Sequence, residues 1–374
     1  MAGPPDGAER ECAVWGGNEM KLDYYRGRRV LVTGHTGFKG AWLCGLLELL
    51  GAETAGFALP PGEPSLYAVL GLEGELRSVM GDVRDPDALG ELFDAFRPEV
   101  VFHLAAQPIV REGYRDPAGT FEVNLMGTVR LLECVRRHPC VRSALVVTTD
   151  KVYQNSGQGR PFREEDPLGG SDPYAGSKSC AELAVRSYVE SFFAGGPAVS
   201  TARAGNVIGG GDFAPGRILP DCVRAALAGE PVRLRHPGSV RPYQHVLEAL
   251  SAYLLIAAAQ AEDPSLAGCY NVGPGAEGRI TTGELADLFC GAWGEGASWV
   301  SAPDGGPPEA DTLLLGCEKL EARLGWRPLW GIQTAVEKTV EWAKCHAAGE
   351  DAAACARRQM AEYLRAFGSG GAGM

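Results

Sequence analysis

The first half of the chain alternates short apolar runs with longer stretches of helical period. Val30-Leu31-Val32, inside the run 28–33, has no polar side to offer to water, which suits a strand buried on both faces of a parallel sheet. The same pattern places strands at 53–58, 79–82, 100–104, 143–149 and 198–203. Helices are expected between them. One covers 41–50, with Gly51 just past its end, and another 85–96, with Asp85 as cap and Pro86 in the first turn. A single long helix is expected over 117–138 and a fourth over 173–193, while 60–74 reads as loop. Strand and helix in strict alternation predict an α/β fold, a Rossmann-type doubly wound parallel sheet.

Beyond residue 204 the pattern loosens into a smaller α+β lobe. A glycine-rich loop is expected at 205–216, helices at 220–228, 246–261, 282–291 and 332–346, and short strands at 232–235 and 269–272. The predicted organisation is a disordered leader at 1–24, a cofactor-binding domain at 25–204, and a substrate lobe at 205–346 with segments returning to the first domain. A C-terminal helix and glycine-rich flexible tail follow at 347–374.

Of 374 residues, 45% are hydrophobic and 22% charged, enough for a real core. The net charge of −12 leaves no broad cationic field, which argues against nucleic acid as a partner. An anionic ligand must then be held locally. The 11 cysteines are odd in number and lack a C-x-x-C pair, so reduced thiols, a cytoplasmic location and no metal site are expected. No apolar run reaches the ~18–20 residues of a membrane span, and the first residues have no apolar signal core.

Three segments carry chemistry. Gly34-His35-Thr36-Gly37-Phe38-Lys39-Gly40 lies between the first strand and the first helix, where glycines let the backbone approach a pyrophosphate and the helix N-terminus supplies N–H donors. A dinucleotide is therefore expected. The second strand ends near Ala58 without an acid for a ribose 2′-hydroxyl, Glu63 being the nearest, and without an arginine cluster for a 2′-phosphate; NAD is the preferred reading. Asp82 reads either as an adenine ligand or as a turn cap; with Val83, Leu104, Ala105 and Ala106 it completes the expected cofactor contacts. Tyr174 and Lys178, four apart, share one helix face, where an ammonium would lower the phenol's pKa toward a working base. Thr149-Asp150-Lys151 ends a strand, the edge at which open α/β sheets bind ligands. Thr149 can orient a hydroxyl, a buried Asp150 can serve as acid, and Lys151 is either a base or an electrostatic stabiliser of an enolate. His35 and His103 read as packing residues, and Asn124 as a structural one.

In order and spacing these segments resemble the extended short-chain dehydrogenase/reductase family that acts on sugar nucleotides, from about residue 25 to 346. Gly34–Leu43, the block 104–111, Thr149-Asp150-Lys151, the block 203–212 and the block 241–247 narrow the resemblance to nucleotide-sugar 4,6-dehydratases of the CDP-glucose form, in which Lys replaces the Glu of the TDP-glucose form. The resemblance implies internal hydride transfer through bound NAD. Thr149, Asp150, Lys151, Tyr174 and Lys178 are the implied catalytic residues, in a homodimer paired near 117–138 and 174–193. Gln107 and Arg111 are expected either at the sugar or packing their loop, Asn206 at a phosphate or a sugar oxygen, and Arg217 and Arg241, whose guanidinium forks match phosphate oxygens, at the diphosphate. Another sugar-nucleotide dehydratase, a 4-epimerase, or an inactive NAD-binding scaffold are the alternatives.

Overall fold

The computed structural model describes residues 21–157, 159–303 and 312–369. Six strands come from the first half: β1 Arg29–Thr33, β2 Glu53–Ala58, β3 Arg77–Met80, β4 Val100–His103, β5 Ser143–Thr149 and β6 Ala198–Ala204. The second half adds β7 Asn206–Ile208, β8 Val232–Leu234, β9 Val240–His245, β10 Cys269–Val272, β11 Arg279–Thr281 and β12 Trp299–Ser301. Seven strands form one sheet in the order β10-β6-β5-β4-β1-β2-β3, and every pairing in it is parallel. This is the Rossmann-type sheet that the alternation predicts. Its order reverses between β1 and β4, which opens a crevice at their carboxyl ends.

The two-residue period of the strands divides the core. Val30, Val32, Phe102, Leu145 and Val147 pack on one face, and Leu31, Val101, Ala144 and Val146 on the other. The helix Val246–Glu262 is buried all round from Val246 to Gln260, as a helix apolar on every side must be. It packs on β5, β6 and the helix Phe38–Leu49, so this late segment and β10 both belong to the main sheet's layers. The remaining strands form a three-stranded sheet, β11-β9-β7, and the pair β12-β8. They pack with Leu219, Phe289, Trp293, Ile332 and Val336 into a separate small core.

Several expectations need correction. The helix expected over 117–138 is broken into Pro117–Phe121, a π-helical turn Glu122–Met126, and Gly127–Arg137. The wide turn points Asn124 inward. Its side chain accepts from Gln107 N (2.8 Å) and donates to Gln107 O (3.1 Å) and Ser177 Oγ (2.9 Å), tying three segments together. The loop at 60–74 contains the short helix Leu66–Val69, and the glycine-rich segment at 205–216 contains β7. β9 escapes a sequence reading because Pro242 and polar residues interrupt its alternation. Of the expected leader, residues 1–20 lie outside the described residues. Leu22 is buried, and Lys21 Nζ donates to Leu324 O at 3.2 Å. The helix Ala352–Gly368 occupies the C-terminal segment; the expected tail beyond 369 lies outside the described residues.

Candidate active site

The glycine turn is shaped by backbone contact. Gly34 has φ +77°, and a Cβ there would stand 2.7 Å from Ala105 N; one at Gly40 would stand 2.1 Å from Gly34 O. Only hydrogen fits at either place, which brings the chain after β4 against the chain after β1. Gly37 is the extended N-cap of the helix Phe38–Leu49, so free N–H groups of the first turn face the crevice. This cradle fits a dinucleotide pyrophosphate. His35 is fully buried and bonded to Ser78 Oγ (2.7 Å), and His103 joins Thr33 Oγ1 (2.7 Å) to Thr128 Oγ1 (3.2 Å). Burial holds their pKa values down to about 4 and about 3, so both are neutral packing groups.

At the end of β5 the chain turns into the 3-10 segment Asp150–Val152. Thr149 Oγ1 accepts from Lys151 N (3.4 Å) and donates to Asp150 Oδ1 (2.9 Å). Asp150 is 2% exposed, and its Oδ2 has no partner among the described residues. Burial raises its pKa above the carboxylate range, against the opposing pull of Lys151, Thr149, Arg241 and Lys39.

The helix Pro173–Phe192 starts beside this turn, capped by Asp172, which accepts from Ala175 N at 2.9 Å. Ser179 Oγ donates to Val152 O (2.9 Å) and accepts from Gly170 N (3.1 Å), locking helix to turn. Tyr174 sits in the first helical turn within hydrogen-bonding reach of Thr149. Beneath them Arg203 pairs with Glu182 (2.8 Å) and donates to Tyr153 Oη (2.9 Å) and Glu164 O (3.0 Å). Glu182 lies on the Tyr174 helix and Tyr153 follows the Asp150 turn, so this buried pair fixes one against the other.

Thr149, Asp150, Lys151 and Tyr174 face one cavity of about 310 Å³ at the carboxyl edge of the sheet, which Phe38 and Lys39 also line. Its lining carries five cationic side chains, Lys39, Arg111, Lys151, Arg217 and Arg235, against two carboxylates, Asp150 and Asp212. A locally positive cleft in a chain of net charge −12 is built for an anionic ligand.

The NAD dependent epimerase/dehydratase family matches residues 30–273. The chain belongs to this family.

It is 41% identical over 352 residues to the CDP-glucose 4,6-dehydratase of Salmonella typhimurium, spanning 92% of this chain and 98% of that one. Among solved structures, the UDP-glucose 4-epimerase of Thermus thermophilus in complex with NAD is similar with TM-score 0.74 and 31% identity, covering 84% of this chain and 99% of that one. The dTDP-glucose 4,6-dehydratase of Streptomyces venezuelae, solved with NAD bound, has TM-score 0.74 and 27% identity, over 86% of this chain and 98% of that one.

Within this member of the family, the cavity gathers nine of the sequence-predicted residues, Phe38, Lys39, Arg111, Thr149, Asp150, Lys151, Tyr174, Asn206 and Arg217. Asn206, Arg217 and Arg111 line the cavity, and Arg217 Nη1 pairs with Asp212 at 3.0 Å. Arg241 lines an adjoining recess of about 130 Å³ that shares Asn206, Arg235 and Tyr243 with the cavity. Gln107 makes the loop contacts of its second reading: Nε2 donates to Thr120 Oγ1 (2.9 Å) and Oε1 accepts from Ile109 N (2.6 Å). Asp82 takes the turn-cap role, accepting from Arg84 N (2.8 Å) and pairing with the Arg84 guanidinium (2.6 Å). Val83 packs on Gly127, whose added Cβ would meet Val83 Cγ2 at 2.9 Å. Leu104 N donates to Thr33 O (3.1 Å) and Ala105 N to Thr33 Oγ1 (3.3 Å), which ties the chain leading to Ala106 to the end of β1. Thr36 Oγ1 donates to Leu59 O at 2.9 Å. Arg203, from one of the blocks that carry the resemblance, is buried under the turn, where it pairs with Glu182.

Tyr174 and Lys178 are both buried, and burial opposes the expected phenol–ammonium effect. Lys178 is 2% exposed and its Nζ donates to Val147 O at 3.0 Å. Burial raises the Tyr174 phenol to about 12 despite Thr149 and Arg217, and lowers Lys178 to about 8. Lys39, over the Tyr253 ring at 6.0 Å, is brought down to about 7 by burial and by Arg217 and Lys178. Arg235 and Tyr243 are cavity residues that the sequence reading did not single out. Tyr243 lies on the unrecognised strand β9, and the only signal for Arg235 was its place at the end of an expected strand.

Proposed function

We propose that this chain is a CDP-glucose 4,6-dehydratase, a hydro-lyase that converts CDP-D-glucose to CDP-4-keto-6-deoxy-D-glucose and water. The observation that carries this reading is the convergence of Tyr174 with Thr149, Asp150 and Lys151 on one cationic cavity beside the glycine cradle. The relative at 41% identity supports the reaction and the nucleotide. The turn Gly34–Gly40, with the first turn of Phe38–Leu49, would hold the pyrophosphate of NAD. NAD bound there would supply the hydride acceptor and donor of an internal transfer.

Tyr174 takes the proton of the 4-hydroxyl, its burial-raised phenol to be drawn down by the cation of bound NAD and by Lys178 four residues on, with Thr149 orienting that hydroxyl. The 4-ketone acidifies the C5 proton. Lys151 accepts that proton or stabilises the enolate through its charge. Asp150, whose pKa burial raises above the ordinary carboxylate range, gives a proton to the leaving 6-hydroxyl, which departs as water. Arg217 and Arg241, with Asn206, meet the substrate diphosphate. The active unit is a cytoplasmic homodimer paired through 117–138 and 174–193, a reading supported by exposed Leu183 and Phe192 on the second of these helices. Residues 25–204 act as the cofactor domain and 205–346 chiefly as the substrate lobe.

Incubation with CDP-, UDP- and TDP-glucose, with and without added NAD, tests the assignment. Water should be lost from the CDP sugar alone, and deuterium placed at C4 should reappear at C6. A 4-epimerase, the second reading, is favoured by the similarity to the Thermus epimerase; it would use Tyr174 without Asp150 or Lys151 and give an epimeric sugar with no loss of water.

A further inference from the structure

The helices Ile332–Ala347 and Ala352–Gly368 form a hairpin whose turn carries Gly349 at φ +70°. Cys345 lies in the last turn of the first and Cys355 in the first turn of the second, and their thiols are within hydrogen-bonding reach of each other. Cys355 is 1% exposed, while Cys345 is only partly buried. The Arg358 guanidinium donates to Cys355 Sγ at 3.4 Å and the Gln359 amide at 3.8 Å. Two donors, one of them cationic, thus meet the Cys355 sulfur at the start of a helix, while burial holds both thiols above their ordinary pKa and keeps them protonated at rest. The carboxylates facing the pair are Glu350 beside Cys345 and Glu341 beside Cys355; Glu341 is itself paired with Arg358 at 2.7 Å.

We propose that Cys345 and Cys355 are a redox-active dithiol, reduced at rest, which small-molecule disulfides close into an intramolecular bridge across the hairpin. The accessible Cys345 thiolate attacks the disulfide, forming a mixed disulfide and releasing one thiol. The Cys355 thiolate then attacks Cys345 Sγ and expels the second thiol. In balance, two cysteine thiols and one small disulfide give one protein disulfide and two small thiols. The bridge would staple the hairpin behind the substrate site. Trp342 Nε1 donates to Ala352 O across the turn (3.0 Å), and Trp342 and His346 pack on Phe213 of the 205–216 segment. An added Cβ on Gly210 would meet Trp342 at 2.2 Å, so little slack separates hairpin and loop.

The test is oxidation of the native, full-length protein with oxidised glutathione, followed by alkylation of remaining thiols and peptide mass mapping. A Cys345–Cys355 peptide pair lighter by two hydrogens, reversed by dithiothreitol, is expected. It should form faster at alkaline pH, because burial and Glu341 hold the Cys355 thiol up at about 11. The bridged protein should show a Tm several degrees above the reduced form. Cys345→Ser should abolish both effects, and Cys355→Ala should leave stable glutathione on Cys345. Full alkylation of both cysteines in the folded protein, or a bridge that appears only after denaturation, would overturn the proposal. So would an unchanged Tm in the bridged protein. None of these readouts depends on the reaction catalysed.

Discussion

Asp150→Asn separates the two halves of the proposed reaction. The carboxyl is almost fully enclosed; one oxygen receives the Thr149 hydroxyl at 2.9 Å, and the other has no partner among the described residues. An amide of the same shape keeps the Thr149 bond but has no proton to give a leaving hydroxyl. Loss of a general acid is worth ~10²–10⁴ in rate, or about 3–5 kcal/mol at ~1.4 kcal/mol per tenfold. Oxidation at C4 depends on Tyr174 and should survive. Rapid mixing with CDP-glucose should therefore raise the absorbance of reduced nicotinamide and leave it high, while keto-deoxysugar formation falls by that factor. The parent's elimination rate should fall as pH rises through the raised Asp150 pKa, and the variant should lack that limb. A carboxyl with a raised folded pKa loses stability as pH climbs from its unfolded to its folded value. The variant should accordingly match or exceed the parent's Tm at neutral pH. Turnover within tenfold of the parent would refute the acid role. Failure to oxidise C4 would refute the division of labour between turn and helix.

Three further outcomes are expected. Tyr174→Phe should cut C4 oxidation ~10²–10⁴-fold while leaving binding of the nucleotide sugar nearly intact, measured by single-turnover absorbance and by calorimetry. Gly40→Ala would drive a Cβ to 2.1 Å from Gly34 O, so NAD binding should be lost, and Tm lowered, in a fluorescence titration and a melt. Glu248 is fully buried with no ion-pair partner among the described residues, accepts from Leu329 N, Trp330 N and Tyr363 Oη, and is raised by burial to about 7. It binds a proton more tightly when folded, so its contribution declines as pH rises from the ordinary carboxylate range to about 7. Glu248→Gln should flatten that part of the Tm–pH curve, and an unchanged slope would count against the assignment.

The sequence by itself determined the sheet and the chemistry that local signals encode. Runs such as Val30-Leu31-Val32 and Ser143–Thr149 are strands because continuous apolarity can be satisfied only between two helical layers. Gly34, Gly37 and Gly40 announced a phosphate turn because their spacing serves backbone approach, and Tyr174 with Lys178 announced one helix face. Tertiary structure decided what depends on neighbours distant in the chain. Asn124 and Thr120, distant in the chain, give Gln107 its loop contacts, and Arg84 gives Asp82 its turn-cap contacts. Lys178 faces Val147 O, Arg203 answers Glu182, and Tyr243 joins the cavity on a strand interrupted by Pro242. Burial, too, is a property of the whole fold. It raises Asp150 and Tyr174 and lowers Lys39, because desolvation of a charge depends on all that surrounds it rather than on the residues beside it in sequence.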